Sequence, residues 1–233
     1  RVANTGPVGA AANLTVPVAG RGAVPSNATA VALNVTATGA TAGTYLTVFP
    51  TGSQRPTASN LNVRPGVTSP NMVIVPVGTN GAIDVFNSAG STDVVVDVLG
   101  WFAPGSGLTG LAPTRLMDTR SDGITIDGTA RADGALEAGV VRRLAVAGRG
   151  GVGAKAGSVV LNVTVTEPGA DGYLTVFPTG TQVPTASNLN FTAGQTIPNM
   201  VVVPVAADGT VSLFTNSGPV HVVVDVLGWF PTA

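Results

Sequence analysis

Hydrophobic residues along this chain come in short, β-branched blocks separated by turn-forming residues. Val31-Ala-Leu-Asn-Val-Thr36, Tyr45-Leu-Thr-Val-Phe49, Asn71-Met-Val-Ile-Val-Pro-Val77 and Val94-Val-Val-Asp-Val98 have the length and composition of strands. No window carries a long apolar stripe at helical spacing, and Pro and Gly interrupt nearly every candidate. Thr79-Asn-Gly81 and Ala207-Asp-Gly209 contain the dipeptides that accept positive φ in tight hairpins. Asn87-Ser-Ala-Gly90 and Asn216-Ser-Gly218 supply the next turns. This pattern predicts that the last strands of each block run as an up-and-down meander.

The pattern occurs twice. Tyr45 to Gly52 returns unchanged as Tyr173 to Gly180, an offset of 128 residues. The same offset carries Val31–Thr36 onto Val159–Thr164, Pro56–Asn62 onto Pro184–Asn190, and Val94–Phe102 onto Val222–Phe230. A period this long marks a duplicated domain rather than a solenoid. The expected architecture is all-β, with two tandem copies of a seven- to eight-stranded antiparallel β-sandwich-like module. Module one is expected over residues 1–103, a Gly- and Pro-rich linker over 104–112, and module two over 113–233. Module two opens with Pro113-Thr-Arg-Leu-Met-Asp-Thr-Arg120, whereas module one begins at Arg1, matched to Arg120, and is read as lacking the opening strand. An edge left unpaired in that way invites strand addition from outside residues 1–233, in a homo-oligomer or a head-to-tail filament.

Composition narrows the function. Only 10% of the 233 residues are charged, the net charge is −1, and the mean hydropathy is +0.40. No basic stripe exists to bind nucleic acid. No apolar run is long enough for a helical membrane span. With no cysteine, disulfides and thiolate metal sites are excluded. Arginine supplies every basic residue but Lys155, and with abundant Ala, Gly and Val this suggests a bacterium of high GC content.

The candidate chemistry is sparse. The one histidine, His221, stands where the first copy has Asp93, so no duplicated triad or histidine metal site is possible. Asp97 and Asp225 interrupt Val-rich strands at equivalent places and are read as structural acceptors, with Arg115 or Arg120 as partner in module two. No paired carboxylates are visible for glycoside hydrolysis. No catalytic residue, metal or cofactor is therefore expected. Asn-x-Thr sequons include those at Asn13, Asn27, Asn34 and Asn162, the last two inside apolar strands that suit sheet asparagines better than sugar acceptors. Tyr45, Asn60, Asn62 and Asn71, with their copies Tyr173, Asn188, Asn190 and Asn199, form the candidate ligand set, since rings and neutral amides suit sugars. Trp101 and Trp229 are expected to cap the core.

Several segments together carry a resemblance. Pro113–Arg120, Leu161-Asn-Val-Thr164, Gly172–Pro178, Ala186–Phe191 and Val222–Phe230 resemble a module common in secreted actinobacterial proteins. Its members open on a Pro-Thr-Arg-Leu-Leu-Asp-Thr-Arg-like strand and close on Asp-Val-x-Gly-Tyr/Trp-Phe. The resemblance spans essentially the whole chain and implies a secreted, cell-surface location and an accessory, non-catalytic role. Two functions fit: adhesion to cell-wall or other polysaccharide, with duplication raising avidity, or a self-associating structural surface protein.

Overall fold

The computed structural model describes residues 1–232 and is all-β apart from one 3-10 turn at Thr79–Gly81. It divides into two compact units, Arg1–Pro113 and Thr114–Ala233.

Unit 1 contains β1 (Ala3–Val8), β2 (Ala12–Pro17), β3 (Ala30–Thr38), β4 (Thr44–Pro50), β5 (Leu61–Val63), β6 (Ser69–Pro76), β7 (Ala82–Asn87) and β8 (Thr92–Phe102). They form two four-stranded sheets, ordered β1-β8-β3-β6 and β2-β7-β4-β5. Alternation along each strand builds the core. Val31, Leu33, Val35 and Ala37 of β3 are buried, as are Val94 and Val96 of β8. The second sheet contributes Leu46, Val48, Ile83 and Val85.

Unit 2 repeats the plan. Its strands are β9 (Thr109–Asp118), β10 (Val141–Ala145), β11 (Ala156–Thr166), β12 (Gly172–Pro178), β13 (Leu189–Phe191), β14 (Ile197–Pro204), β15 (Thr210–Thr215) and β16 (His221–Pro231). Their order is β9-β16-β11-β14 and β10-β15-β12-β13, the same arrangement strand for strand. Both long strands bulge at the same point. Leu99 is the extra residue of β8 between Val98, opposite Leu33, and Gly100, opposite Ala32. Leu227 is the extra residue of β16 between Val226, opposite Leu161, and Gly228, opposite Val160.

Several expectations about the strands are corrected. The last strands are not a meander, because β6 and β8 lie in one sheet and β7 in the other. Asn80, at φ 58, turns the chain across the core rather than closing a hairpin. β9 begins at Thr109, inside the stretch read as a linker over 104–112. Module one does have a strand in the opening position: β1 pairs antiparallel with β8, setting Ala3 opposite Val96 and Val8 opposite Thr92. Arg1-Val-Ala-Asn-Thr5 thus stands in for Arg115-Leu-Met-Asp-Thr119, and Arg1 takes the part of Arg115, not of Arg120.

The units differ most after this strand. Unit 1 passes from Thr5 to Val8 through Gly6 and Pro7, with a register shift there. Unit 2 instead makes a long excursion, residues 119–135, before Leu136 bridges to Val220. The excursion folds back on β9: Asp118 N–H donates to the Ala130 carbonyl, and Ile126 N–H to that of Arg115.

Candidate functional site: an aromatic and asparagine face on each unit

The candidate ligand residues separate into two groups. Asn60 is buried, and its side-chain oxygen accepts the Val48 backbone N–H at 2.7 Å. The Asn71 amide donates to the Asn60 carbonyl at 2.7 Å. In unit 2, Asn188 accepts from Val176 N–H at 2.7 Å and Asn199 donates to the Asn188 carbonyl at 2.5 Å. These four asparagines pin the loop between β4 and β5, or β12 and β13, to the sheet. Their reading as ligand side chains is corrected for Asn60 and Asn71, which are buried and spent on backbone groups; Asn188 and Asn199 make the same backbone bonds but are half-buried.

The other four residues stay on the surface and come together. Tyr45 lies opposite Asn62 on β5, and Tyr173 opposite Asn190 on β13. Each tyrosine has a tilted ring neighbour: Phe86 with centroids 6.2 Å apart, and Phe214 at 6.3 Å. Tyr45 is 38% exposed, Tyr173 and Asn62 are half-buried, and Asn190 is exposed. Sequence reasoning missed Phe86 and Phe214, although both are preserved at the 128-residue offset.

The surroundings of the two faces differ. In unit 1 the Arg55 guanidinium sits 3.8 Å from the Phe86 ring centre, so Phe86 is buried beneath it. Asp84 accepts from Thr15 at 2.7 Å and from Thr51 at 3.0 Å. Unit 2 has Val183 in the place of Arg55, Ser212 in that of Asp84 and Arg143 in that of Thr15; Phe214 is half-buried and Arg143 pairs with Asp208. Each face thus carries a tyrosine ring beside an asparagine amide, with the Arg55 guanidinium near it in unit 1 and the Arg143–Asp208 pair in unit 2.

The aspartates are held by arginine. Asp225 accepts from Arg115 Nε at 2.9 Å and Nη2 at 3.3 Å, and Asp97 from Arg1 Nε at 3.1 Å and Nη2 at 3.3 Å. Burial pushes the Asp225 carboxyl above its ordinary range despite Arg115. The Arg1 hydrogen bond holds Asp97 below it. Asp118 is depressed in spite of its burial, because Arg120 at 2.6 Å and Arg115 at 3.3 Å outweigh the desolvation. Arg120 therefore serves Asp118 rather than Asp225. Among the described residues no cluster of three or more His, Asp or Glu could hold a metal ion. His221 Nδ1 lies 3.0 Å from Thr119 Oγ1, which also accepts the Val222 N–H.

The tryptophans do not share one role. Trp229 packs on Gly153, where an added Cβ would lie 2.5 Å from the indole. Trp101 is 42% exposed and borders a cavity of about 520 Å³ with Arg1, Arg21, Val98 and Leu99. Its reading as a core cap is corrected.

No protein-family model and no curated protein matches the chain. Among solved structures the chain is similar to the N-terminal CBM22-1-CBM22-2 tandem domain of Xyn10C from Paenibacillus barcinonensis. That match has a TM-score of 0.23 at 13% identity, covering 88% of this chain and 79% of that one. No helix among the described residues is long and apolar enough to cross a membrane.

Proposed function

We propose that the chain is a secreted, non-catalytic protein that binds neutral polysaccharide at the cell surface through two equivalent faces. The observation that carries this reading is the repeated Tyr–Asn pair. Tyr45 with Asn62 and Tyr173 with Asn190 occupy the same register, each beside a second ring at the same tilt. A pyranose buries its C–H face on a ring while its hydroxyls take amide hydrogen bonds, and these faces supply both. Two sites on one chain raise the apparent affinity for a repeating polymer without any new contact.

The test is affinity electrophoresis or calorimetry against a panel of neutral cell-wall and plant polysaccharides. Tyr45→Ala or Tyr173→Ala alone should weaken apparent binding by about tenfold or more through lost avidity, and the double variant should abolish it. A double variant that binds every glycan as tightly as the parent protein would refute the assignment.

A further inference from the structure

We infer that the saccharide face of unit 1 also takes an acidic sugar, one that carries a carboxylate, and that Arg55 is the residue that selects it. The inference rests on the saccharide reading above and extends it: neutral sugar units bind at both faces, a carboxylate-bearing unit at the first alone. Tyr45 and Asn62 match Tyr173 and Asn190 in register, so a difference in ligand has to come from what surrounds them.

Position 55 is where the copies diverge in charge. Pro56–Asn62 and Pro184–Asn190 are identical, and the residue just before them is Arg55 in one copy and Val183 in the other. Both loops are pinned alike: the Thr47 hydroxyl donates to the Ala58 carbonyl at 2.7 Å, and Thr175 to that of Ala186 at 2.9 Å. In unit 1 the guanidinium lies over the Phe86 ring, whose negative face attracts it and fixes its place. Arg55 is exposed, and among the described residues it makes no ion pair. Asp84, two residues before Phe86 on β7, is buried and accepts the Thr15 and Thr51 hydroxyls instead. A guanidinium held by a ring keeps its N–H donors for another partner, and their planar fork matches a carboxylate.

The neighbouring strand adds to the contrast. Asn13 of β2 lies opposite Phe86 and is exposed, whereas Val141 of β10 lies opposite Phe214 and is 44% exposed. The first face thus carries Asn13, Asn62 and Arg55 around its rings, all of them hydrogen-bond donors. The second carries Val141 and Val183, and its nearby cation, Arg143, is already paired with Asp208. A carboxylate laid on the second face would lose water beside two valines and gain no charged donor in return.

The test is affinity electrophoresis of the full chain through polygalacturonate, alginate and hyaluronan, polymers whose sugars carry carboxylates, beside the neutral panel. At least one acidic polymer should retard the parent protein, and less so as salt is raised, because the contact is an ion pair at the surface. Arg55→Val should weaken that binding by about tenfold or more, and by more than it weakens binding to any neutral polymer. Tyr45→Ala should weaken it too, since the tyrosine ring is the platform for the sugar. Val183→Arg, placed in the Arg55→Val chain, should restore acidic binding through the second face. No retardation of the parent protein by any acidic polymer, or equal retardation of Arg55→Val, would overturn the inference. So would acidic binding that needs Arg55 but survives Tyr45→Ala, since the cation would then attract polyanions without the face. The saccharide reading fails separately, on the neutral panel with both tyrosines replaced.

Discussion

Arg1 and Arg115 grip Asp97 and Asp225 with the same two nitrogens, yet the two ion pairs sit in different media. Side-chain exposure is 55% and 33% for Arg1 and Asp97, against 14% and 1% for Arg115 and Asp225. The difference arises outside the pair itself. In unit 2 the excursion after Thr119 folds back along the strand, whereas unit 1 passes directly from Thr5 to Val8 through Gly6 and Pro7. The same sequence position therefore carries an exposed contact in one copy and a buried, desolvated charge pair in the other. The contact geometry alone does not set its energetic weight; the surrounding water does.

The largest effect should come from breaking the buried pair on one side. Arg115→Met strands the Asp225 carboxylate in the interior of unit 2, and removal of one partner of a buried pair typically costs about 3–5 kcal/mol. Arg1→Met removes the same contact in unit 1 and should leave its unfolding transition essentially unmoved. Urea melts followed by amide exchange, which reports each unit separately, would check this. Equal losses in the two units would mean that burial does not govern the comparison.

The asparagine clamps offer a finer contrast. Asn60 is 1% exposed, and its copy Asn188 is half-buried. Asn60→Ala leaves the Val48 N–H unpaired in the core and should destabilise unit 1 by about 1–3 kcal/mol. Asn188→Ala should cost less, because water can reach the freed group. Neither substitution should change the saccharide affinity set by Tyr45 and Tyr173. A loss of affinity without a loss of stability would return Asn60 to the ligand set.

The residues explain what could be read in advance. Strand positions, the duplication and the all-β class follow from β-branched blocks at a constant offset, because strand alternation leaves a direct trace in sequence. A lone charge inside an apolar strand pointed to an arginine partner for Asp225 but left Arg115 and Arg120 open; the structure pairs it with Arg115. The assignment of strands to sheets left no such trace, since Thr79-Asn-Gly81 looks the same whether it closes a hairpin or crosses the core. The first strand stayed hidden because Arg1-Val-Ala-Asn-Thr5 keeps only the arginine and threonine of Arg115-Leu-Met-Asp-Thr119. The asparagines were ambiguous for a chemical reason: one amide serves a sugar or a backbone N–H equally well, and only burial separates the two.

The smallest effect is the most specific, because the two aspartates should respond to acid with opposite sign. Asp97 is held below its ordinary value of 3.8 by the Arg1 hydrogen bond, so its contribution is present above that pH and is lost as pH falls through the lower folded value. The penalty of Asp97→Asn should therefore shrink on acidification. Asp225 is raised by burial, so the folded protein takes up a proton before the unfolded chain does. Between its raised value and 3.8 the intact protein gains stability at this position as pH falls. The penalty of Asp225→Asn, about 1–3 kcal/mol at neutral pH for a buried charged hydrogen bond, should then grow rather than shrink. Asp118 and Asp127 in unit 2 are both depressed and weaken that unit in acid. Comparing each variant with its parent at each pH cancels the contribution of Asp127, while the Asp225 comparison, because Asp118 shares Arg115 with it, is made in an Asp118→Asn background. Penalties that move in the same direction in both units would show that Arg115 outweighs the desolvation of Asp225, and that the two pairs differ in exposure but not in kind.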